Sequence, residues 1–262
     1  MGAGSTSAAA PAEQTGYGPL CTAFYDLDKP EPASEALAYY LARARACGGT
    51  VLEPMCGSGR FLLTLLEAGV AVEGQDASLA MLSACQRRAR ARGLAPVLHA
   101  GRLESLALGR RYALAFVPSG SIGLLDAHGL EAALARLREH LQPGAPLLLE
   151  LILADATVAA TSDASLAPRR VRDVDGTSIT YACRVRPDAG GQVLVYEGCY
   201  TRQRDGRVVA TESETLRLWL HAPQVMLERL AAVGFEAAAV LPRAYSGLEH
   251  SGCVLVEARA PR

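Results

Sequence analysis

The sequence predicts an α/β protein, a doubly wound seven-stranded sheet with a small antiparallel β insert. Three observations lead there. From Thr50 to Leu153, short apolar runs alternate with amphipathic helical stretches, the pattern of right-handed βαβ units on a parallel sheet. The run Val51-Leu52-Glu53-Pro54 ends in the turn Met55-Cys56-Gly57-Ser58-Gly59, which leads straight into a helix. A second run closes with Gln75-Asp76-Ala77-Ser78. A glycine turn from strand to helix, with an acid ending the next strand, is how such a sheet holds a nucleoside with a polar tail.

The elements follow in order. Residues 1–16 are rich in Ala, Ser and Gly and read as a flexible tail ahead of a domain at 17–262. Tyr17 to Lys29 is a mixed segment containing Phe24-Tyr25-Asp26. Residues 33–47 form a predicted helix with Leu37, Tyr40, Leu41 and Ala44 on one face, ended near Gly48-Gly49. Thr50–Glu53 is the first strand, Arg60–Ala68 a helix ended by Gly69, and Ala71–Gln75 the second strand. Ser78–Arg92 is a helix facing inward with Met81, Leu82 and Cys85, closed by Gly93. Pro96–Ala100 and Tyr112–Val117 are strands, and His128–Leu141 is a helix stopped by Gln142-Pro143-Gly144. Pro146–Leu153 is apolar almost throughout, as a strand covered on both faces should be.

The alternation then stops. Residues 154–167 read as a small-residue linker, and the insert follows at about 168–220. There, long strands are separated by the hairpin signals Asp175-Gly176, Asp188-Ala189-Gly190-Gly191 and Asp205-Gly206, giving a meander of about four strands. A helix at Ala222–Val233 ends at Gly234, and Phe235–Leu241 and Gly252–Ala258 are the final strands. Residues 242–251 are too few for a parallel crossover, so the last strand is expected to be antiparallel.

Composition excludes several classes. Half of the 262 residues are hydrophobic and the net charge is −1, which supports a full core and argues against a nucleic-acid partner. One Lys (Lys29) among 26 basic residues reads as codon bias of a GC-rich bacterial genome. Seven Cys, an odd number with no Cys-x-x-Cys, indicate neither a disulfide scaffold nor a zinc site, and no metal is expected. No run approaches the roughly 18 apolar residues of a membrane helix, and the first 16 residues lack the basic start and apolar centre of a signal peptide. The reading is a cytoplasmic protein, monomer or homodimer, with no membrane partner.

Two nucleoside cofactors compete for the glycine turn. A dinucleotide needs a third small residue for close helix–strand packing, and here that position is Leu62. A nucleoside without a pyrophosphate needs only the backbone approach at the glycines and an acid for the ribose hydroxyls. Over about residues 17–259, the chain resembles class I S-adenosylmethionine-dependent methyltransferases. The resemblance is carried by Leu52-Glu53-Pro54-Met55-Cys56-Gly57-Ser58-Gly59-Arg60, by Val72-Glu73-Gly74-Gln75-Asp76-Ala77-Ser78 with Met81-Leu82, by Leu216-Arg217-Leu218-Trp219-Leu220, and by Leu230-Ala231-Ala232-Val233-Gly234-Phe235-Glu236. The insert resembles that of small-molecule N-methyltransferases acting on glycine and amino sugars.

The resemblance implies roles for particular residues. Gly57 and Gly59, with Ser58 between them, approach the methionine carboxylate and amine, and Glu53 supports that loop and the amine. Asp76 holds the ribose, Ala77 and Met81 line the adenine, and Leu103 offers its backbone N–H and packs on the ring. Arg102, where the family often has a carboxylate, and Pro118 after the fourth strand complete the cofactor set, with Glu104 a substitute for the missing acid. Met55 stands where the family has its first glycine.

Each candidate also has a plainer reading. The glycines could simply make the turn, Asp76 could cap the following helix, and Glu53 could only brace the loop. Cys56 reads as packing, with no His nearby to activate it. Tyr25 either covers the cofactor or packs in the core, and Asp26 reads first as a solvated loop acid. Ser119 and Ser121 stand at the carboxyl edge of the sheet. Glu150, a carboxylate in an apolar strand, needs a partner or an active-site role. Glu197 and Tyr200 in the meander and His221 before the last helix are candidates for positioning or base chemistry, set against a solvated sheet face and a helix cap. Arg87, Arg88, Arg90 and Arg92 read as a helix surface.

The expected function is in-line methyl transfer from S-adenosylmethionine to a small-molecule acceptor, at nitrogen before oxygen. No Asn/Asp-Pro-Pro-Tyr/Phe element, which stacks a flipped base, follows the fourth strand, where Val117-Pro118-Ser119-Gly120 stands. The rival readings are a non-catalytic S-adenosylmethionine-binding protein and a nicotinamide oxidoreductase.

Overall fold

The computed structural model describes residues 17–153, 164–248 and 252–262. The tail expected at 1–16 and most of the linker expected at 154–167 lie outside them. A seven-stranded sheet forms the centre, in the order β10-β11-β5-β4-β1-β2-β3. Its strands are β1 (Val51–Pro54), β2 (Val72–Asp76), β3 (Val97–Ala100), β4 (Leu114–Val117), β5 (Pro146–Ile152), β10 (Glu236–Leu241) and β11 (Cys253–Arg259). β1 to β5 run parallel, and β11 is antiparallel to both β5 and β10, as the short final connection required.

Alternation along the strands builds two cores. Ala115, Val117, Leu147 and Leu149 face a layer with α5 (Ala127–Glu139) and α6 (Pro223–Ala232). Leu114, Phe116 and Leu148 face the opposite layer, with α2 (Ser34–Ala46), α3 (Arg60–Glu67) and α4 (Leu79–Ala91). The period of two sends neighbours to opposite faces, so Glu150 shares the face of Leu148. Tyr40, one helical turn from Ala36 and Ala44 on the buried stripe of α2, stacks on Phe116 at 4.7 Å in the same layer.

The second sheet is antiparallel, in the order β6-β7-β8-β9, from β6 (Ala164–Arg172), β7 (Ser178–Pro187), β8 (Val193–Arg204) and β9 (Arg207–Trp219). Its turns stand where the hairpin signals place them. At Asp205-Gly206 both residues have positive φ, 51° and 75°, as a two-residue hairpin turn requires. β6 begins at Ala164, inside the stretch that reads as linker. Its pairing with β7 shifts register between Leu166 and Arg169, around Pro168, which has no amide to donate.

One element departs from expectation. The mixed segment Tyr17–Lys29 contains a helix, α1 (Pro19–Asp28). Its N-cap residue Gly18 supplies no side-chain cap. The cap comes from β9, where the Glu212 carboxylate accepts the Leu20 and Cys21 amides at 2.9 and 3.0 Å. A carboxylate there also complements the helix dipole. A Cβ at residue 18 would lie 2.6 Å from that carboxylate, which explains the glycine. Among the described residues, no helix is long and apolar enough to cross a membrane.

Candidate active site

The strand order reverses between β1 and β4, and in such sheets ligands sit outside the carboxyl ends at that switch point. A cavity of about 1060 Å³ lies there, at the upper end of the usual range for a small-molecule pocket. Loops after β1, β2, β3 and β4 form its floor, and Tyr17, Tyr25 and part of β9 form its roof.

The turn after β1 has an unusual backbone. Met55 takes φ 56°, Gly57 57° and Gly59 81°, so Met55 adopts the left-handed conformation that a glycine takes at lower cost. The two glycines differ in purpose. A Cβ on Gly57 would meet only the Met81 Sδ, at 3.8 Å, whereas one on Gly59 would meet the Cys85 Sγ at 2.5 Å. Gly57 therefore keeps the cavity side open, and Gly59 lets α3 close on α4. Gly59 does not line the cavity, and neither does Ser58. The Ser58 hydroxyl and carbonyl both accept from Arg88 at 3.2 Å, and Arg88 also pairs with Asp26 at 3.3 Å.

Asp76 ends β2 and lines the cavity. Its Oδ2 accepts the Gly57 amide and its Oδ1 the Ser78 amide, each at 2.8 Å. Burial raises its pKa, against the pull of those amides. The cap of α4 is the Ser78 side chain, which accepts the Met81 amide, so Asp76 is not spent on capping. The Ala77 amide also favours the charged form, and the carboxylate still has accepting capacity left for a ligand hydroxyl. Gln75 bonds the Gly101 carbonyl and accepts from the Met55 amide, tying the three loops together.

Glu53 is 2% exposed, and its Oε2 has no partner. Burial holds its carboxyl well above the usual carboxylate range. The Arg60 charge and the Leu62 amide pull it down, and Asp76 pushes it further up. A buried, unsatisfied carboxylate oxygen beside an open cavity is costly unless a ligand completes it.

Ala77, Met81, Leu103 and Pro118 line the same space, as do Arg102 and Glu104, which pair with each other. Leu103 is buried and opens a short 3₁₀ turn. Tyr25 faces the cavity from α1, with the Arg60 guanidinium 5.6 Å from its ring centre, a cation–π distance. Burial pushes its hydroxyl pKa up, and Arg60 opposes this. Ser119 and Ser121 line the far wall, and Cys56 the floor.

Besides Ser58 and Gly59, four further candidates do not line it. Glu150 is buried behind the floor with both oxygens engaged, Oε1 by the Tyr40 and Tyr245 hydroxyls and Oε2 by the Ser119 amide, all at 2.6 Å. Tyr200 is buried beneath α1, stacked on Tyr181 at 4.5 Å, and its hydroxyl donates to Glu214 at 2.8 Å. The Nε2 of His221 meets the Leu125 carbonyl at 2.9 Å, so that nitrogen carries the proton, and burial lowers its pKa. Glu197 pairs with Arg186 at 3.2 Å on an exposed face. The sequence left each of these four between chemistry and a plainer reading, and each has its own partner away from the cavity: distant residues for Glu150 and His221, neighbouring strands for Tyr200 and Glu197.

The sequence reading missed Arg60, Tyr17 and the roof residues Glu214 and Leu216, which all line the cavity. Glu214 accepts from the Tyr17 amide at 3.1 Å, and Ser78 Oγ donates to the Tyr17 carbonyl at 2.8 Å, so Tyr17 links roof and floor. Arg60 had a signal: a cation in the first turn of a helix opposes the dipole. Tyr17, Glu214 and Leu216 had none as single residues, although the resemblance implies that the N-terminal segment and the insert at about 168–220 cover the active site; the packing of β9 against α1 is what brings these three over the cavity.

Known proteins share this fold. Residues 51–144 match the family described as a methyltransferase domain. The chain is 32% identical over 115 residues to the dTDP-3-amino-3,6-dideoxy-alpha-D-glucopyranose N,N-dimethyltransferase of Streptomyces fradiae, and the match covers 44% of each chain. The aligned part thus spans under half of that relative's length. A sugar N-methyltransferase from Streptoalloteichus superposes with a TM-score of 0.74 at 22% identity, covering 100% of this chain and 99% of the other. An amino pentose methyltransferase from Micromonospora echinaspora, solved with S-adenosylmethionine bound, superposes with a TM-score of 0.68 at 21% identity, covering 95% and 100%. Residues 51–144 are thus similar to a methyltransferase-domain family, and the chain as a whole has the fold of these solved methyltransferases.

Proposed function

We propose that the protein transfers a methyl group from S-adenosylmethionine to an amine of a small molecule, with an amino sugar as the first acceptor class to test. The observation that carries this is the floor of the cavity. The open backbone at Gly57, the Asp76 carboxylate with lone pairs to spare, and the unpartnered Glu53 oxygen fit a ribose diol and an ammonium set side by side. Ala77, Met81 and Leu103 offer an apolar slot for a base. When bound, the donor supplies a methyl group already activated by its sulfonium charge.

The protein's own work is alignment and exclusion of water. Asp76 and Glu53 fix the ribose and the amine of the donor. Tyr25, on α1, covers the cavity from above, and β9 contributes Glu214 and Leu216 to the acceptor side. The insert at about 168–220 thereby serves as the roof of the site within one domain spanning 17–262. His221 lies off the cavity with its Nε2 proton on the Leu125 carbonyl, so it is not placed to take a proton from the acceptor amine. The acceptor class follows from the amino-sugar enzymes among the similar proteins. Composition supports a cytoplasmic setting with no nucleic-acid partner.

Two measurements test this. Titration calorimetry should detect S-adenosylhomocysteine binding and no NAD binding. Incubation with S-adenosylmethionine and dTDP-3-amino-3,6-dideoxy-alpha-D-glucopyranose should add one or two methyl masses to the sugar. Binding without turnover on a broad amine panel would favour a non-catalytic binder, and stabilisation by NAD alone would overturn the donor assignment.

A further inference from the structure

The roof of the cavity carries a buried carboxylate. Glu214, on β9, is 9% exposed and lines the cavity. Its Oε1 accepts the Tyr200 hydroxyl at 2.8 Å and its Oε2 the Tyr17 amide at 3.1 Å, and the Cys21 thiol also meets it. These partners are all neutral. Burial raises the pKa of the Tyr17 and Tyr200 hydroxyls and of the Cys21 thiol, and the Glu214 charge adds to each rise. Among the described residues, no cation pairs with Glu214. Arg217, the other charged residue that β9 gives the cavity, is three residues on, and the period of two sends it to the opposite face. Glu212 shares the face of Glu214 but caps α1. A buried carboxylate with hydrogen bonds and no counter-ion is half of a pair, and Glu214 borders the space where a ligand can supply the other half.

We propose that Glu214 receives the acceptor's amine in its ammonium form and thereby selects nitrogen over oxygen as the atom methylated. The proposal rests on the donor reading above. A donor held on the floor at Asp76 and Gly57 presents its methyl group to the roof. Tyr17 spans the two, its carbonyl held by Ser78 and its amide by Glu214. The carboxylate therefore stands on the side from which the acceptor attacks. An ammonium gains a charge-assisted hydrogen bond there, whereas a hydroxyl brings no charge to offset the buried anion. The nitrogen must shed one proton before it attacks. That proton passes along the hydrogen bond to Glu214, the freed lone pair forms the N–C bond as the C–S bond breaks onto sulfur, and Glu214 then releases the proton to solvent.

The test sets sinefungin, which has an amine where the donor has its methyl group, against S-adenosylhomocysteine, which has nothing there. Calorimetry on the full chain should show Glu214→Gln weakening sinefungin by about 10–100-fold and leaving S-adenosylhomocysteine within about twofold. Gln keeps an oxygen for the Tyr17 amide and an N–H that the Tyr200 hydroxyl can accept. In turnover, the same variant should raise the KM of the methylated amine by a similar factor. Equal losses for the two ligands, or none for either, reduce Glu214 to the anchor of Tyr17 and overturn the proposal while the donor reading stands. If neither ligand binds the wild-type protein, the donor reading itself fails. Should Glu214→Gln not fold, the wild type decides: sinefungin is expected to bind at least about tenfold more tightly than S-adenosylhomocysteine, and equal affinity refutes the pairing.

Discussion

Glu150 accepts the Ser119 amide at 2.6 Å, so a carboxylate inside the sheet holds a non-glycine residue at φ 60° on the cavity wall. The same carboxylate receives the hydroxyls of Tyr40 and Tyr245. Removing it with Glu150→Ala leaves three donors unmet, for an expected cost of about 2–4 kcal/mol. Glu150→Gln keeps an oxygen for Ser119 and turns its amide to the hydroxyls, which can accept, so its cost should stay below about 1 kcal/mol. Urea unfolding of both variants checks this. Equal losses would mean that charge, not hydrogen-bond capacity, matters there.

Asp76→Ala removes a carboxylate that holds the Gly57 turn and faces the cavity. S-adenosylhomocysteine should bind roughly 30–150-fold more weakly, on the order of 2–3 kcal/mol. An unchanged dissociation constant in calorimetry would refute the ribose assignment.

Glu53 couples pH to both stability and binding. Burial raises its folded-state pKa, so the folded protein keeps a proton that the unfolded chain releases. Stability then falls as pH climbs from the ordinary carboxylate range through the raised value. The charged and titratable groups around it are Arg60, Asp76, Tyr25, Cys56 and Cys85. Glu53→Gln should raise the ligand-free Tm at neutral pH more than at acid pH, and weaken S-adenosylhomocysteine. In the wild type, that ligand should bind more tightly as pH rises and Glu53 ionises. A Tm gain independent of pH would contradict the linkage.

The two turn glycines should respond differently to alanine. Gly59→Ala pushes a methyl onto Cys85 at a left-handed φ, with an expected loss of about 2–4 kcal/mol. Gly57→Ala carries a strain of only about 1–2 kcal/mol. It should fold and bind donor at least about tenfold more weakly. Thermal melts with parallel calorimetry separate the two effects.

Glu212→Ala strips the cap from α1, a local cost of about 1–2 kcal/mol. Amide exchange in α1 should accelerate while β1 to β5 stay protected. Donor affinity should fall severalfold, because α1 carries Tyr25. Unchanged exchange would show that the α1 packing, not the cap, holds the roof.

Much of this protein was legible in its residues alone. The βαβ alternation, the glycine turn, the acid ending β2 and the hairpin signals are local patterns, and each is enforced by the backbone geometry of a few neighbouring residues. They determined the sheet, the meander and the floor of the cavity, including Gly57, Asp76 and Glu53. What the tertiary structure decided are the contacts between residues far apart in the chain. α1 is a helix because Glu212 caps it from β9. Glu150 is fully partnered because Tyr40, Tyr245 and Ser119 converge on it. Tyr200 and His221 are satisfied by Glu214 and the Leu125 carbonyl. A buried polar group takes its role from whichever partner meets it, and only the packed sheet and its roof bring those partners together.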